Sequence, residues 1–169
     1  MLVKQSEPEL LSYSSNCVIA HFVEGTYRQD VLRSCDSFIV SSYFRKLEAN
    51  IRPRGLSLKY VAEGLETYRF QNKPHHVSAG KYILANEMVD AGEVWINNAD
   101  TWSMCVDIDT QLIQDILQQL NQPNNLDAYT DLSRYYLTPE LLLRETVAGA
   151  PLKSFLNTLI SSLASGNTP

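Results

Sequence analysis

Hydrophobic and polar residues alternate in short runs over most of the chain, which is the pattern of β-strands. In the segment 102–108, apolar side chains occupy every second position from Trp102 onward, so they share one face of a strand. Further strands are predicted at 56–62, 65–70, 82–85 and 94–96. Gly64 separates the first two of these, and its tolerance of positive φ predicts a hairpin at that point. Strands at this spacing predict a β-sandwich or barrel.

The pattern changes to helical spacing in the last third of the chain. A helix is predicted over 110–120, because its apolar residues form one stripe and Asp109 or Thr110 can cap its start. Pro123 follows its end, and the polar, Tyr-rich residues beyond it predict an irregular connection.

Two more helices are predicted towards the C-terminus. Thr138, followed by a proline, predicts the start of a short helix that ends near Gly149. Pro151 begins the last helix, whose apolar residues recur at intervals of three and four. Four of them are spaced as in a two-helix seam: Leu152, Leu156, Leu159 and Leu163. Two interpretations remain open: the whole stripe packs on its own domain, or part of it forms a dimer interface.

Composition narrows the class of protein. The chain has 169 residues, of which 44% are hydrophobic and 20% are charged, and this is typical of a globular chain with a core. Its net charge of −5 argues against binding nucleic acid by itself, which requires a basic face. Neither a signal-peptide pattern nor a membrane-length apolar run is present, so a soluble, cytoplasmic protein is expected.

Candidate binding residues are of two kinds. Aromatic side chains on strands suit a small-molecule pocket, and the predicted ligand contacts are Tyr60, Tyr68, Trp95 and Trp102. The alternative is that these aromatics are ordinary core residues. A basic cluster can meet an anionic ligand or partner, or be a solvated face: Arg45, Lys46, Arg52, Arg54 and Lys59. We find no motif of a catalytic nucleophile, so no catalytic residue is assigned.

Two segments carry a resemblance to a known family. The stretch 58–68 contains a strand, the turn at Gly64 and a Glu/Tyr pair, and 80–86 reads Gly-Lys-Tyr-Ile-Leu-Ala-Asn. Together they resemble a cupin core and, more narrowly, the N-terminal regulatory domain of AraC-type transcription regulators. The resemblance implies a cupin-like β-sandwich or barrel (a double-stranded β-helix) over 1–108, followed by an α-helical dimerisation segment over 109–165. It also implies that 166–169 is a linker to a DNA-binding domain absent from this chain.

The same resemblance bears on metal binding. Cupins that bind metal carry histidines before the first glycine turn and after the second, whereas the corresponding positions here are 51–54 and Asn86, Met88 and Ala91. We therefore expect no metal, no other cofactor and no enzymatic activity. An alternative is a stand-alone cupin enzyme with an unconventional metal site at His21, His75 and Glu87, and another is a small sugar-binding cupin.

The expected function is that of a ligand-sensing and dimerising domain in an AraC-like transcription regulator. Its expected partners are a small-molecule effector and a second copy of the chain. DNA would be bound only through the absent domain, and no membrane association is expected.

Overall fold

The protein, described here from a computed structural model, folds mainly into β-strands; the structure describes residues 9–13, 17–87, 89–120 and 145–166. Within these ranges the strands are β1 (Glu9–Tyr13), β2 (Cys17–Val23), β3 (Ser37–Ile51), β4 (Leu56–Glu63), β5 (Leu65–Phe70), β6 (Lys73–Ser78), β7 (Lys81–Asn86), β8 (Gly92–Ile108) and β9 (Thr146–Val147). The helices are α1 (Gln29–Arg33), α2 (Thr110–Leu120) and α3 (Ala150–Ala164). A mainly β fold followed by helices was predicted, and the structure confirms it. None of the described helices has the length and apolar character needed to span a membrane.

Two long antiparallel strands, β3 and β8, organise the sheet. They pair from Phe38 opposite Asp107 to Ile51 opposite Gly92, but the register shifts just after Phe44. We call this irregular zone the crease; it comprises residues 44–46 of β3, the end of β4 with Gly64 (62–64), and 97–101 of β8. Irregularities of this kind bend strands and increase their twist. The crease therefore divides one sheet into two halves.

The two halves are built from different neighbours of β3 and β8. The helix-side half contains β1, β2, β4 and β7 together with the parts of β3 and β8 nearest Phe38 and Asp107. The far half contains β5 and β6 together with the opposite ends of β3 and β8. Apolar residues of both halves meet between them; Ile96 of the far half, for example, packs with Phe22 and Phe38. The result is a β-sandwich made from a single folded sheet.

The predicted hairpin at Gly64 is wrong, although the predicted backbone conformation is right. Gly64 has φ of 86°, but β4 and β5 do not pair with each other; both pair with β8, one after the other. The chain therefore bends at Gly64 and passes from one half of the sheet to the other. A Cβ at this position would lie 2.5 Å from the Asp100 carbonyl oxygen and 2.5 Å from Thr101 Oγ1. Glycine is required here by close approach as well as by φ.

Helix α3 covers the outer face of the helix-side half. Leu156, Ile160 and Leu163 are buried there against Tyr60 of β4 and Met104 of β8. The predicted leucine seam is thus divided between two environments. Leu156 and Leu163 are 3% and 0% exposed, and Leu159 is half-buried. Leu152 remains 36% exposed, and the neighbouring Phe155 is 63% exposed.

The remaining helix predictions have mixed outcomes. The helix over 110–120 is confirmed, and Asp109 is its N-cap: Asp109 Oδ1 accepts hydrogen bonds from the backbone N–H groups of Gln111 (2.8 Å) and Leu112 (3.1 Å). These bonds, that from Leu112 foremost, lower the pKa of Asp109. Most of the predicted helix from Thr138 lies outside the described residues, as does 167–169 of the predicted linker. Where the chain is described again, Thr146–Val147 pairs with β7 as a strand, so the prediction that a helix reaches Gly149 is wrong.

The crease predicts an unequal response of two glycines to the same substitution. Gly64→Ala should lower the free energy of unfolding by more than about 2 kcal/mol, because it adds a steric clash to an unfavourable φ. Gly25→Ala should cost only about 1 kcal/mol, because Gly25 has φ of 79° but no atom within 4 Å of its would-be Cβ. Urea denaturation of both variants measures this difference. Equal losses would show that the close approach at the crease does not stabilise the fold.

Candidate functional site

A cavity of about 570 Å³ lies between the two halves of the sheet. Its size is within the range of small-molecule sites. The apolar lining residues are Phe22, Tyr27, Leu32, Phe38, Val40, Phe44, Leu47, Ile51, Val94 and Met104. The polar and charged ones are Gln29, Arg33, Ser42, Asn50, Arg52, Arg54, Lys59, Glu66, Tyr68, Ser103, Cys105 and Asp107.

The cavity floor, next to the crease, carries a chain of hydrogen bonds. Glu66 is 3% exposed and accepts hydrogen bonds from Tyr68 OH and, at 2.5 Å, from Ser103 Oγ. Ser103 Oγ also lies 2.8 Å from Ser42 Oγ. Burial raises the pKa of Glu66, since the ionised carboxylate is poorly solvated there, and the two hydroxyl donors only partly offset this. The floor therefore presents a buried carboxyl group that binds its proton more tightly than an ordinary glutamate.

A second polar group lies along the wall of the helix-side half. Lys59 Nζ is 3.4 Å from Asp107 Oδ1, and both side chains are almost fully buried. Burial by itself would lower the pKa of Lys59, but the Asp107 carboxylate and the contact with Cys105 together outweigh it and hold that pKa above the usual value. Cys105 contacts Lys59, and burial raises the pKa of the Cys105 thiol to about 12. Lys59 and Asp107 thus neutralise each other beside an un-ionised thiol.

The open edge of the sandwich, opposite the crease, is spanned by α1 and by the loop 52–55 between β3 and β4. We call this edge the rim. Arg33, at the end of α1, and Arg52 and Arg54, on the loop, all line the cavity there. Arg54 donates hydrogen bonds to the carbonyl oxygens of Leu32 (2.7 Å) and Arg33 (3.3 Å), which ties the loop to α1. The rim is therefore strongly cationic, and part of it is rigidly positioned.

Of the four predicted ligand-binding aromatics, the structure brings only Tyr68 to the cavity. Tyr60 and Trp102 point to the opposite face of the helix-side half, where they pack under α3. The hydroxyl of Tyr60 donates a 2.8 Å hydrogen bond to Asn157 of that helix. Trp95 lies on the outer face of the far half. The guanidinium carbon of Arg69 is 4.5 Å from the centroid of its ring. These three residues do not line this cavity. Whether they contact a ligand elsewhere stays a prediction.

The basic cluster divides in the same way. Arg52, Arg54 and Lys59 line the cavity, whereas Arg45 is exposed and forms an ion pair with Asp100. Sequence reasoning missed the polar floor, formed by Ser42, Glu66 and Ser103. The signal was present in the alternation of 102–108, which places Ser103, Cys105 and Asp107 together on the second face of the strand. Because α3 covers the apolar face of these strands, the polar face turns inward.

The residues of the alternative metal site lie on separate elements. His21 is on β2, with Nδ1 2.7 Å from Ser41 Oγ, His75 is on β6, and Glu87 follows β7. Within the described part of the chain, no three His, Cys, Asp or Glu side chains are grouped in a way that fits a metal ion.

Comparison with known proteins identifies the fold. A scan against protein-family models finds no match, and a search of curated proteins finds no relative. Among solved structures, ToxT from Vibrio cholerae is 8% identical with a TM-score of 0.52, over 79% of this chain and 48% of that chain. An apo single-residue variant of ToxT from V. cholerae strain SCE256 is 12% identical with a TM-score of 0.51, over 75% and 47%. A cupin_2 domain of an XRE family transcriptional regulator from Enterobacter cloacae is 8% identical with a TM-score of 0.35, over 43% and 81%.

The chain thus spans about half the length of the ToxT structures it matches. ToxT is an AraC-family regulator, and the match is to its N-terminal domain. At this identity the likeness shows a shared fold, which is the β-sandwich followed by helices that the sequence predicted.

The buried Glu66 predicts a specific pH dependence of stability. An unfolded glutamate titrates at about pH 4.3, and the folded pKa of Glu66 is higher. Between these two values the folded state holds the proton, so rising pH lowers the free energy of unfolding there. Glu66→Gln removes this contribution, and its stability relative to the unmodified protein should increase with pH across that interval. Urea denaturation at several pH values measures the difference. Glu48→Gln, at an exposed site, is the matched control, and identical pH profiles for both variants would contradict the assignment.

Proposed function

We propose that this chain is the ligand-sensing and dimerising domain of an AraC-like transcription regulator, and that it binds an effector in the cavity without converting it. The fold shared with the N-terminal domain of ToxT supports the regulatory part of this proposal. The cavity, with apolar walls and a few buried polar groups, supports the binding part.

The observation that carries the proposal is that the cavity and α3 share the same strands on opposite faces. Lys59 faces the cavity and the next residue, Tyr60, is hydrogen-bonded to α3. Likewise, Ser103 belongs to the cavity floor and the preceding residue, Trp102, packs under α3. A ligand that shifts β4 or β8 therefore also shifts the residues on which α3 packs. This arrangement offers a short physical route from effector binding to the position of α3.

The net charge of the chain supports the assignment of DNA binding to a different domain of such a regulator. The chain carries 14 Lys and Arg residues against 19 Asp and Glu residues, so its net charge of −5 disfavours contact with phosphates. DNA would then be bound by another domain of the regulator, and the whole regulator would be cytoplasmic. The chain described here would bind the effector and form the dimer.

The proposed dimer surface is the exposed part of the α3 stripe with β9. Leu156 and Leu163 are already buried against the sheet, so they cannot reach a partner without undocking. Val147, Leu152 and Phe155 are 70%, 36% and 63% exposed, and they offer apolar surface for a second copy.

Binding in the cavity can be tested with the neutral fluorescent probe N-phenylnaphthylamine. We expect saturable enhancement of its fluorescence by the protein, because the cavity walls are apolar. Leu47→Trp fills the cavity from its wall and should weaken probe binding at least about tenfold, since it removes room for the ring. Leu65→Trp is the matched control, because Leu65 is exposed and away from the cavity. Equal effects of the two variants, or no binding at all, would contradict the proposal.

Pairing can be tested by sedimentation equilibrium. We expect a dimer that Phe155→Asp weakens at least about tenfold, because the substitution places a charge in an apolar interface. Val23→Asp, at a residue 40% exposed on β2, should leave the dimer unchanged. A monomer at all concentrations, or a dimer insensitive to Phe155→Asp, would contradict this part of the proposal.

A further inference from the structure

We infer that the cavity selects a ligand with a carboxylate at one end, a hydroxyl group at the other and an aromatic body between them. This inference rests on the proposed effector-binding function and specifies the chemistry of the ligand. It follows from the position of two different polar groups at opposite ends of an apolar cavity.

The rim supplies the site for the carboxylate. Arg33, Arg52 and Arg54 line it, and none of them forms an ion pair within the described residues. Among the residues that the structure describes, the only acidic side chains lining the cavity are Glu66 and Asp107. Asp107 is already paired with Lys59, so it does not neutralise the rim. Three uncompensated guanidinium groups at a cavity mouth favour a carboxylate, which they can bind through two parallel hydrogen bonds.

The hydrogen bonds of Arg54 prepare the rim for this role. Because Arg54 is held by the carbonyl groups of Leu32 and Arg33, part of the conformational entropy of its side chain is already lost before a ligand arrives. Arg52 and Arg33 are exposed, so an anion reaches them from solvent.

The floor supplies the site for the hydroxyl group. Each oxygen of a carboxylate can accept two hydrogen bonds, but Glu66 receives one from Tyr68 and one from Ser103. Capacity to accept therefore remains in a place closed to bulk water. A ligand hydroxyl donates to it without bringing in a charge, and Ser42 and Ser103 offer oxygens around the same point. A ligand that adds a hydroxyl donor at this point therefore gains a hydrogen bond in a buried place that an analogue without the donor does not gain.

The spacing and the walls define the ligand body. Ser103, at the floor, and Asp107, near the rim, are four residues apart on β8, which is about 13 Å along a strand. Arginine side chains reach inward from the rim, so a one-ring body with a short chain bridges the remaining distance. Phe22, Phe38 and Phe44 line one side of the cavity, and such walls favour an aromatic ring.

Three probes that differ by one group each test this inference by calorimetry or by displacement of N-phenylnaphthylamine. They are p-hydroxyphenylpropionate, phenylpropionate without the hydroxyl, and p-hydroxyphenylpropanol without the carboxylate. We expect the first to bind at least about tenfold more tightly than either of the others, since one loses its contact with the guanidinium groups and the other loses a hydrogen bond in a buried place.

Variants assign each preference to one end of the cavity. We call the affinity for p-hydroxyphenylpropionate divided by that for p-hydroxyphenylpropanol the carboxylate preference, and the affinity for p-hydroxyphenylpropionate divided by that for phenylpropionate the hydroxyl preference. The double variant Arg33→Met with Arg52→Met should bring the carboxylate preference close to one and leave the hydroxyl preference unchanged. Glu66→Met should do the reverse, and Ser103→Ala serves the same purpose if Glu66→Met fails to fold. Arg45→Met and Glu63→Met are matched controls at exposed sites outside the cavity, and both preferences should survive in them.

The possible failures are distinguishable. If N-phenylnaphthylamine binds but all three probes bind equally or not at all, the ligand class is wrong and the proposed function stands. If each variant weakens both preferences alike, the assignment of the two ends is wrong. If neither the neutral probe nor any of the three binds, the proposed function itself fails.

Discussion

The close approach of two backbones at Gly64 is the constraint on which the architecture depends. The chain passes so near Asp100 and Thr101 that a side chain at this position would overlap them. Together with the register shift in β3 and β8, this contact folds one continuous sheet back towards itself. Without the fold in the sheet there would be neither facing halves nor a cavity. The glycine thus has a structural role that its appearance as a turn residue does not reveal.

A sheet covered on both faces follows from that geometry. In the helix-side half, the apolar face of β3, β4 and β8 packs under α3, so the opposite face lines the cavity and can be polar. This inverts the usual arrangement, in which the polar side of a strand is solvated. It also places cavity-lining residues next in sequence to helix-facing ones, as Lys59 and Tyr60 illustrate. The cavity and the surface that supports α3 are therefore connected through single peptide units.

Burying charge in such a cavity has consequences that differ between sites. Lys59 and Asp107 compensate each other, so the pair contributes no net charge to the interior. Glu66 has only hydroxyl partners, so burial shifts it towards its neutral form. The arginines at the rim form no ion pair within the described chain, and Arg33 and Arg52 are exposed to solvent. The cavity therefore changes in character along its length: it has a carboxyl group at its floor, a neutral ion pair on its wall and positive charge at its entrance.

The sequence by itself determined β4, β5, β7 and parts of β8, the helix over 110–120 and the last amphipathic helix, because these depend on local periodicity and capping. It did not reveal β1, β2, β3 and β6, and it left the cap of the first of these helices open between Asp109 and Thr110. It also indicated the positive φ at Gly64, since that is a property of one residue. Only the tertiary structure decided whether the chain reversed or continued there, because β4 and β5 both find their partner in the distant β8. It likewise decided that Tyr60 and Trp102 lie under α3 while Ser103 and Glu66 line the cavity. Periodicity indicates which residues share a face of a strand. Which of the two faces encloses a cavity depends on what packs against the opposite face.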